Sequence, residues 1–120
     1  MLSKKEIGQK GETLVQEYLI KKGYKILERN WRFGYLEVDI ISKLDDKLVF
    51  FEVKTRTGDS LDGAENAIKS KQIQKIKRAM IAYSQINNIS LEKIRLDFIA
   101  VTLDLFLNKK KIAHFNDILI

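Results

Sequence analysis

The sequence contains no cysteine and a single histidine, His114. Disulfide bonds and thiolate metal sites are therefore excluded, and so is a zinc site built from several histidines. No apolar run approaches the roughly 18 residues that a membrane-spanning helix needs. The amino-terminal segment MLSKKEIGQKGE also lacks the apolar stretch of a secretion signal. These absences predict a cytoplasmic protein with no membrane partner.

The length of 120 residues suits a single domain, 1–120, around one hydrophobic core, and the apolar fraction of 45% is ordinary for a globular protein. The net charge of +6 favours a polyanionic partner such as nucleic acid. Composition alone is a weak signal, because many basic proteins bind no nucleic acid. It also leaves the oligomeric state open, a homodimer included.

Apolar periodicity predicts two helices. Ser3 and Glu6 have the spacing of a capping box that begins the first helix, and Gly23 ends it. Gly8 and Gly11 inside this helix each cost about 1 kcal/mol relative to alanine, which indicates close approach of another backbone or a ligand. The second helix is predicted within 64–87, beginning or restarting near residue 70. Its apolar stripe contains Ile73, Ile76, Met80 and Tyr83.

Extended segments complete the order α-β-β-β-α-β, with a short further strand at the end. They span 24–29, 36–43, 47–55, 94–105 and 110–115. The polar, glycine-containing stretch 55–63 is predicted to be a loop. Because the second helix is long enough for a crossover, the strands before and after it are expected to be parallel. The predicted fold class is α/β, with a mixed central sheet flanked by helices.

Several side chains have expected positions in this fold. Alternation in the second strand puts three apolar residues on one face: Leu36, Val38 and Ile40. Three aromatic residues are expected in the core: Tyr24, Phe98 and Phe106. His114 is expected to be structural. A further aromatic group lies between arginines before the second strand and suits either base stacking or packing at the strand entrance: Trp31, Phe33 and Tyr35.

The segment LVFFEVK, 48–54, is apolar on both faces, as in a strand at the centre of a sheet. Glu52 and Lys54 interrupt it, and they share a face because they are two residues apart. Charges at such a position cost free energy unless they are paired or bind a metal. The pattern therefore indicates either a functional site or an ion-paired strand.

A two-residue turn at 45–46 makes cross-strand partners of residues whose numbers sum to 91. Asp39 then faces Glu52 and Glu37 faces Lys54, with opposed Cβ atoms about 4.5–5.5 Å apart. Two opposed carboxylates repel unless a divalent cation lies between them, and hard oxygen ligands suit Mg²⁺ or Mn²⁺. A three-residue turn would move Asp39 to the other face. The alternative interpretation is an exposed charge ladder with lysines.

Glu12, the stretch EVDII at 37–41 and the stretch VFFEVKTR at 49–56 together resemble the YraN-like family. That family belongs to the restriction-endonuclease-like superfamily, whose motif is PD-(D/E)xK. The resemblance covers nearly the whole chain and extends, more distantly, to archaeal Holliday-junction resolvases. It implies a restriction-endonuclease-like α-β-β-β-α-β core and a nuclease-like domain.

The resemblance also implies residue roles. Asp39 and Glu52 would bind the metal together with the backbone carbonyl of Val53. Glu12 would be a further ligand, direct or through water, and Glu37 would assist. The implied chemistry is Mg²⁺- or Mn²⁺-dependent hydrolysis of phosphodiester bonds in DNA, of branched or single-stranded form.

The lysine and the remaining basic residues complete the candidate site. By the same resemblance, Lys54 would orient or activate the attacking water and stabilise charge on the phosphate. Arg56 is a candidate for phosphate contact at the mouth of the site. Lys71, Lys75 and Arg78 fall on one stripe of the second helix and could contact phosphate or form a solvated face.

Two other classes of function stay open at this point. One is a non-catalytic module that retains the nuclease fold and binds nucleic acid or another partner. The other is a small structural protein with a surface charge ladder. The complete set of Asp39, Glu52 and Lys54 favours a nuclease, because a degenerate copy often loses the lysine or a carboxylate.

Overall fold

A computed structural model of the chain describes residues 2–58 and 70–118. Its helices and strands are α1 (Lys4–Lys21), β1 (Lys25–Phe33), β2 (Leu36–Leu44), β3 (Lys47–Thr57), α2 (Ser70–Ile86), a 3₁₀ turn (Leu91–Lys93), β4 (Ile94–Asp104) and β5 (Lys109–Phe115). The sheet order is β1-β2-β3-β4-β5, parallel between β3 and β4 and antiparallel elsewhere. The predicted α/β class, with a mixed central sheet and a parallel crossover, is confirmed.

The first helix begins and ends where its sequence predicts. Ser3 Oγ accepts a hydrogen bond from the Glu6 N–H at 3.1 Å, and the Glu6 carboxylate accepts one from the Ser3 N–H at 3.0 Å. The helix ends at Lys21, and Gly23 follows with a φ of +95°, which glycine adopts without strain. Its apolar side covers one face of the sheet, where Val15 and Leu19 are fully buried.

The second helix covers the opposite face. Ile76, Met80 and Tyr83 pack against Phe50 and Leu96 there. The strand β3 thus contributes buried side chains to both clusters, as its apolar sequence predicts. Residues 64–69 of the predicted helix lie outside the described residues. None of the helices in the described ranges is long and apolar enough to cross a membrane.

The β2–β3 hairpin has the predicted two-residue turn. Its paired residues run from Leu44 with Lys47 to Ile40 with Phe51, and in each pair the numbers sum to 91. Asp45 in the turn has a φ of +54°, a conformation that aspartate tolerates better than most residues. The turn therefore sets the register that brings the carboxylates of the two strands to the same region.

The ladder ends before it reaches those carboxylates. The predicted backbone pairs of Asp39 with Glu52 and of Glu37 with Lys54 are wrong, because pairing stops at Ile40 and Phe51. Beyond that point the Asp39 carboxylate itself accepts a hydrogen bond from the Val53 N–H at 2.8 Å. The Asp39 side chain thus accepts the Val53 hydrogen bond in place of a backbone carbonyl, at the point where the two strands cease to pair.

The alternation of β2 is interrupted at the same place. Leu36 and Val38 both pack in the cluster under α2, so the prediction that these two share a face is confirmed. Ile40 packs in the cluster under α1, so its predicted place on the same face is wrong. On the neighbouring strand, Asn30 has a φ of +51° and lies between two paired residues without a partner of its own in the ladder. Asp39, which lies opposite Asn30 in this register, also has no ladder partner on β1, and the alternation of faces changes where the pairing is interrupted.

Three further predictions need correction. β1 continues to Phe33 instead of ending at residue 29, and β3 continues to Thr57, so 55–57 are not loop; residues 59–63 of the predicted loop lie outside the described residues. Phe106 is 95% exposed, because it lies in the β4–β5 turn and on neither face of the sheet. Tyr24 and Phe98 are buried as predicted.

Candidate active site

Two carboxyl groups meet where β2 and β3 cease to pair. Asp39 Oδ2 accepts the Val53 N–H at 2.8 Å. Glu52 is 7% exposed, and the charge of Asp39 acts on it and raises its pKa. Gln72 of α2 borders the same cleft as the two carboxyl groups. Asp39 and Glu52 therefore form one acidic site.

Burial raises the pKa of both groups, and neighbouring negative charges add to the rise. Burial raises the pKa of Asp39 to about 6; the Val53 hydrogen bond opposes the rise and the charge of Glu12 adds to it. Burial likewise raises the pKa of Glu52 to about 8, with the charge of Asp39 adding to the rise and that of Lys54 opposing it. Raised values of this kind mark a site that disfavours two bare negative charges.

An open cleft of about 400 Å³ lies over the pair. Its strand side includes Glu37, Asp39 and Glu52, and its helix side includes Lys71 and Lys75 of α2. The fold thus brings three of the predicted acidic residues and two of the predicted basic residues to one cleft. This convergence of distant segments is the main structural support for the predicted site.

Glu12 lies beside this cleft and not in it. It lines a neighbouring pocket to which Glu37 also contributes. Its carboxylate is 3.5 Å from the guanidinium of Arg29, and its side chain is 14% exposed. Glu37 makes a corresponding ion pair with Arg32 at 3.5 Å, with both side chains more exposed. Glu12, the predicted further ligand, and Glu37, the predicted assisting residue, thus lie near the pair, and each forms an ion pair with an arginine.

The approach of α1 to the sheet depends on Gly11. A Cβ at this position would lie 2.8 Å from Cβ of Thr55 on β3, and closer still to the threonine hydroxyl. Backbone and side chain cannot both stay in place at that distance, so the close approach predicted from this glycine is confirmed. At Gly8, by contrast, a Cβ would meet no atom of another element within 4 Å, and this glycine borders the pocket of Glu12.

The remaining basic residues differ in their relation to the pair. Lys54 is half-buried, and its charge acts to lower the pKa of Glu52 against the effect of burial. Arg56 is exposed two residues farther along β3. Arg78 donates a hydrogen bond to the Tyr35 hydroxyl at 3.1 Å, and Tyr35 lines the cleft. Lys54 is therefore close enough to Glu52 to act on its charge, although it is not one of the residues that line the cleft. Arg78 lies at the margin of the cleft through its contact with Tyr35.

A model of the family described as "Uncharacterised protein family UPF0102" matches residues 11–101. The match spans most of the chain and includes all four candidate acidic residues: Glu12, Glu37, Asp39 and Glu52. The chain belongs to the UPF0102 family. The resemblance to the YraN-like family is confirmed at this level, and the wider restriction-endonuclease-like relation stays a prediction.

UPF0102 proteins of three organisms illustrate the similarity. The protein of Flavobacterium psychrophilum is 40% identical over 119 residues, covering 98% of this chain and 96% of the relative. That of Syntrophomonas wolfei is 38% identical over 110 residues, covering 92% and 94%. That of Shewanella sediminis is 43% identical over 96 residues, covering 80% and 81%. The chain therefore matches other UPF0102 proteins over most of their length.

Among solved structures, the chain is similar to Pyrococcus furiosus SfsA in complex with Ca²⁺. The TM-score is 0.38 at 13% identity, and the match covers 97% of this chain and 64% of SfsA, just under two thirds of its length. A likeness of this size supports no statement about the site of the UPF0102 protein.

The donor set fits a hard divalent cation in part. Asp39 and Glu52 supply carboxylate oxygens, the ligands that Mg²⁺ and Mn²⁺ prefer, and a cation would offset the burial and the neighbouring negative charges that raise their pKa values. Across residues 2–58 and 70–118, however, no three acidic or histidine side chains are grouped closely enough to hold an ion as they stand. A metal site here would therefore rest on the carboxylate pair and would need backbone oxygen and water to complete it.

Two residues of the UPF0102 site escaped sequence analysis as site residues. Gln72 borders the cleft together with Glu52, and Arg29 forms an ion pair with Glu12. Each lies on a different element from its partner, and neither has a local pattern that distinguishes it from an ordinary polar residue. Only the packing of α2 and α1 on the sheet makes them part of the site.

Proposed function

We propose that this UPF0102 protein is a Mg²⁺- or Mn²⁺-dependent nuclease of the restriction-endonuclease-like PD-(D/E)xK type, which hydrolyses phosphodiester bonds in DNA. The observation that carries the proposal is the pair of the half-buried Asp39 and the buried Glu52, which border one cleft and both have raised pKa values, with Lys54 two residues from Glu52 along β3. Two neighbouring carboxyl groups withdrawn from water destabilise the fold relative to well-paired groups. Binding of a cation gives a physical reason for their presence.

Residues of three elements take part in the proposed chemistry. The carboxylates of Asp39 and Glu52 and the carbonyl of Val53 would hold the ion, and Glu12, now paired with Arg29, would be a further ligand, direct or through water. Glu37, at the edge of the cleft, assists. When bound, the divalent ion supplies Lewis acidity that polarises a phosphate oxygen and makes hydroxide available near neutral pH.

The basic residues position the substrate and stabilise developing charge. Lys54 donates hydrogen bonds to the attacking water and to a phosphate oxygen, where its charge favours the transition state. Lys71 and Lys75 on the helix wall of the cleft contact flanking phosphates, and Arg56 and Arg78 extend this contact at the margins. Phosphate contacts of this kind carry no base specificity.

The test is a cleavage assay on single-stranded, duplex and branched DNA with Mg²⁺ or Mn²⁺. Wild type is compared with Lys54→Ala and with Lys43→Ala. Lys43→Ala removes the same charge from an exposed site near the end of β2, on the strand next to that of Lys54. We expect Lys54→Ala to lose about 100-fold or more in rate, and Lys43→Ala to cleave as wild type does. No cleavage by wild type at millimolar metal, or equal cleavage by Lys54→Ala, would contradict the proposal.

A second candidate function is a nucleic-acid-binding or partner-binding module that does not cut. The ion pair of Glu12 with Arg29, and the lack of a third grouped ligand among the described residues, favour it. The two candidates differ in cleavage and agree in binding. For nucleic acid, log affinity should fall by about 0.7–0.9 per phosphate contact for each unit of log salt concentration. Binding that persists without cleavage supports the second candidate, and a lack of binding even at low salt contradicts nucleic-acid recognition by either.

A further inference from the structure

The β1–β2 hairpin carries exposed aromatic rings at its tip. Tyr35 is 76% exposed and Phe33 is 49% exposed. Gly34, between them, has a φ of +61°, so the glycine supplies the unusual backbone conformation of the turn and leaves its neighbour free to carry a large side chain. Two exposed aromatic rings next to one another at a turn form a small apolar surface, and such a surface can mark a binding site.

The hairpin tip lies beside the candidate active site. Tyr35 lines the same cleft as Asp39 and Glu52, and Lys71 and Lys75 line its helix side. The cleft volume of about 400 Å³ is within the range of about 300–1,000 Å³ that is usual for sites of small organic groups. A flat ring, a carboxylate pair and two ammonium groups thus border a space large enough for part of a nucleotide.

Contacts with the rest of the fold hold this tip in place. Arg78 of α2 donates a hydrogen bond to the Tyr35 hydroxyl at 3.1 Å. Phe33 stacks on Trp31 with ring centroids 6.1 Å apart, and Trp31 in turn packs edge-on against Tyr83 at 5.1 Å. The aromatic tip is therefore tied both to α2 and to the hydrophobic core, which reduces the ordering cost of binding a ligand on it.

We propose that Tyr35 is a stacking platform for an unpaired nucleobase, so that the site prefers single-stranded or locally unpaired nucleic acid to continuous duplex. The inference rests on the nucleic-acid substrate of the proposed function and specifies its form. In a duplex the faces of each base are covered by its neighbours, whereas an unpaired base can stack on a protein ring. Lys71 and Lys75 contact the phosphates next to that base.

The experiment measures binding in EDTA, so that it does not depend on cleavage. The probes are a single strand of about 12 nucleotides containing 2-aminopurine, a length within the usual site sizes of single-strand binders, and the same strand in a duplex. Fluorescence quenching and anisotropy are the two readouts. We expect wild type to quench the single strand and to bind it more tightly than the duplex. Tyr35→Ala should lose about 5- to 100-fold in single-strand affinity, together with the quenching.

Two control variants separate stacking from other roles. Tyr35→Phe keeps the ring and removes only the hydroxyl that contacts Arg78, so it should retain the quenching and most of the affinity. Phe106→Ala removes a ring that is 95% exposed on the β4–β5 turn, away from the cleft, and should bind as wild type does. Equal losses in Tyr35→Phe and Tyr35→Ala would overturn the stacking role.

The outcomes for this inference and for the proposed nuclease are distinguishable. Single-strand binding that depends on Tyr35, without cleavage under any metal, overturns the nuclease and leaves the inference standing. Cleavage by wild type with unchanged single-strand affinity and quenching in Tyr35→Ala overturns the inference alone. Tighter binding to the duplex than to the single strand also overturns it, and no binding to either probe overturns nucleic-acid recognition as a whole.

Discussion

Two buried acidic sites lie on neighbouring strands of this protein, and their surroundings are opposite. Asp97 on β4 is fully buried and receives hydrogen bonds from Arg95 Nε, from His114 Nε2 and from the Asp117 N–H, each at 2.8 Å. Glu52 on β3 lies one position farther along the register, paired with Phe98 of β4, and the charge of Asp39 raises its pKa. The first site is well supplied with hydrogen-bond donors, whereas the second brings two carboxyl groups together with fewer donors.

The pKa values of the two sites move in opposite directions for this reason. Burial alone would raise the pKa of Asp97, but the hydrogen bonds from His114, Arg95 and the Asp117 N–H outweigh burial and lower it. At Asp39 and Glu52 burial dominates, and both pKa values rise. A buried carboxylate with a full set of hydrogen-bond donors stabilises the fold. A pair of carboxyl groups with too few donors, here called under-supplied, is typical of a site that binds a ligand.

The largest expected effect is at the well-supplied site. Asp97→Asn removes the negative charge that faces Arg95 and His114, and breaking a buried ion pair in this way costs about 3–5 kcal/mol. The measurement is the free energy of unfolding from urea denaturation. Asp45→Asn, the same chemical change at a turn position, is the control and should be near neutral. A loss below about 1 kcal/mol in Asp97→Asn would erase the contrast between the two sites.

The next effect concerns pH in the absence of metal. An acid whose pKa is raised in the folded state stabilises the fold below its unfolded pKa, and this stabilisation is lost as pH rises through the folded value. From the rises of Asp39 from 3.8 to about 6 and of Glu52 from 4.5 to about 8, stability in EDTA should fall between about pH 4 and pH 8. The fall should be of the order of a few kcal/mol, since one pKa unit corresponds to about 1.4 kcal/mol.

The control for this pH effect is the double variant Asp39→Asn, Glu52→Gln, which has neither titrating group and should lose the decline. Asp97 should act in the opposite sense: its lowered pKa stabilises the fold above its usual value of 3.8, and this is lost only as pH falls through the lower folded value. If the free energy of unfolding of wild type in EDTA is the same near pH 4 and near pH 8, the conclusion that Asp39 and Glu52 lack hydrogen-bond donors is wrong.

A third prediction concerns metal ions. Mg²⁺ or Mn²⁺ should raise the melting temperature of wild type, because a ligand of the native state stabilises it by about 2.7 kcal/mol at roughly 100 times its Kd. Asp39→Asn should lose this response, and Lys54→Ala should keep it, since the lysine acts on water and phosphate. Differential scanning fluorimetry with and without metal gives the comparison. A response that survives in Asp39→Asn would place the ion elsewhere.

The smallest effect is that of Asp39→Asn itself without metal. The asparagine keeps one oxygen for the Val53 N–H and removes a charge that repels Glu52. At neutral pH in EDTA the variant should therefore be as stable as wild type, or more stable by up to about 1 kcal/mol. Urea denaturation tests this. A clear loss of stability would mean that the Asp39 charge supports the fold, as that of Asp97 does.

Sequence patterns predicted much of what positions the site. The two-residue turn correctly predicted the register of β2 and β3, in which the numbers of paired residues sum to 91. The strand β3, which is apolar on both faces, was correctly predicted to lie at the centre of the sheet. The incorrect predictions come from places where local regularity ends. The faces of β2 reverse at Asp39, where neither Asp39 nor Asn30 opposite it has a ladder partner, and the Asp39 carboxylate accepts the Val53 N–H in place of a backbone carbonyl. Neither event has a signature in the alternation of apolar residues.

The sequence by itself thus determined the elements, the hairpin register and which residues carry charge inside apolar strands, because caps, turns and periodicity depend on neighbours only a few residues away. Only the tertiary structure decided which charges have partners. Packing places Arg95 and His114 against Asp97, and Arg29 against Glu12. It also brings Asp39 and Glu52 close to one another. The pKa of a buried group depends on the donors that distant segments bring to it, and packing alone sets those distances.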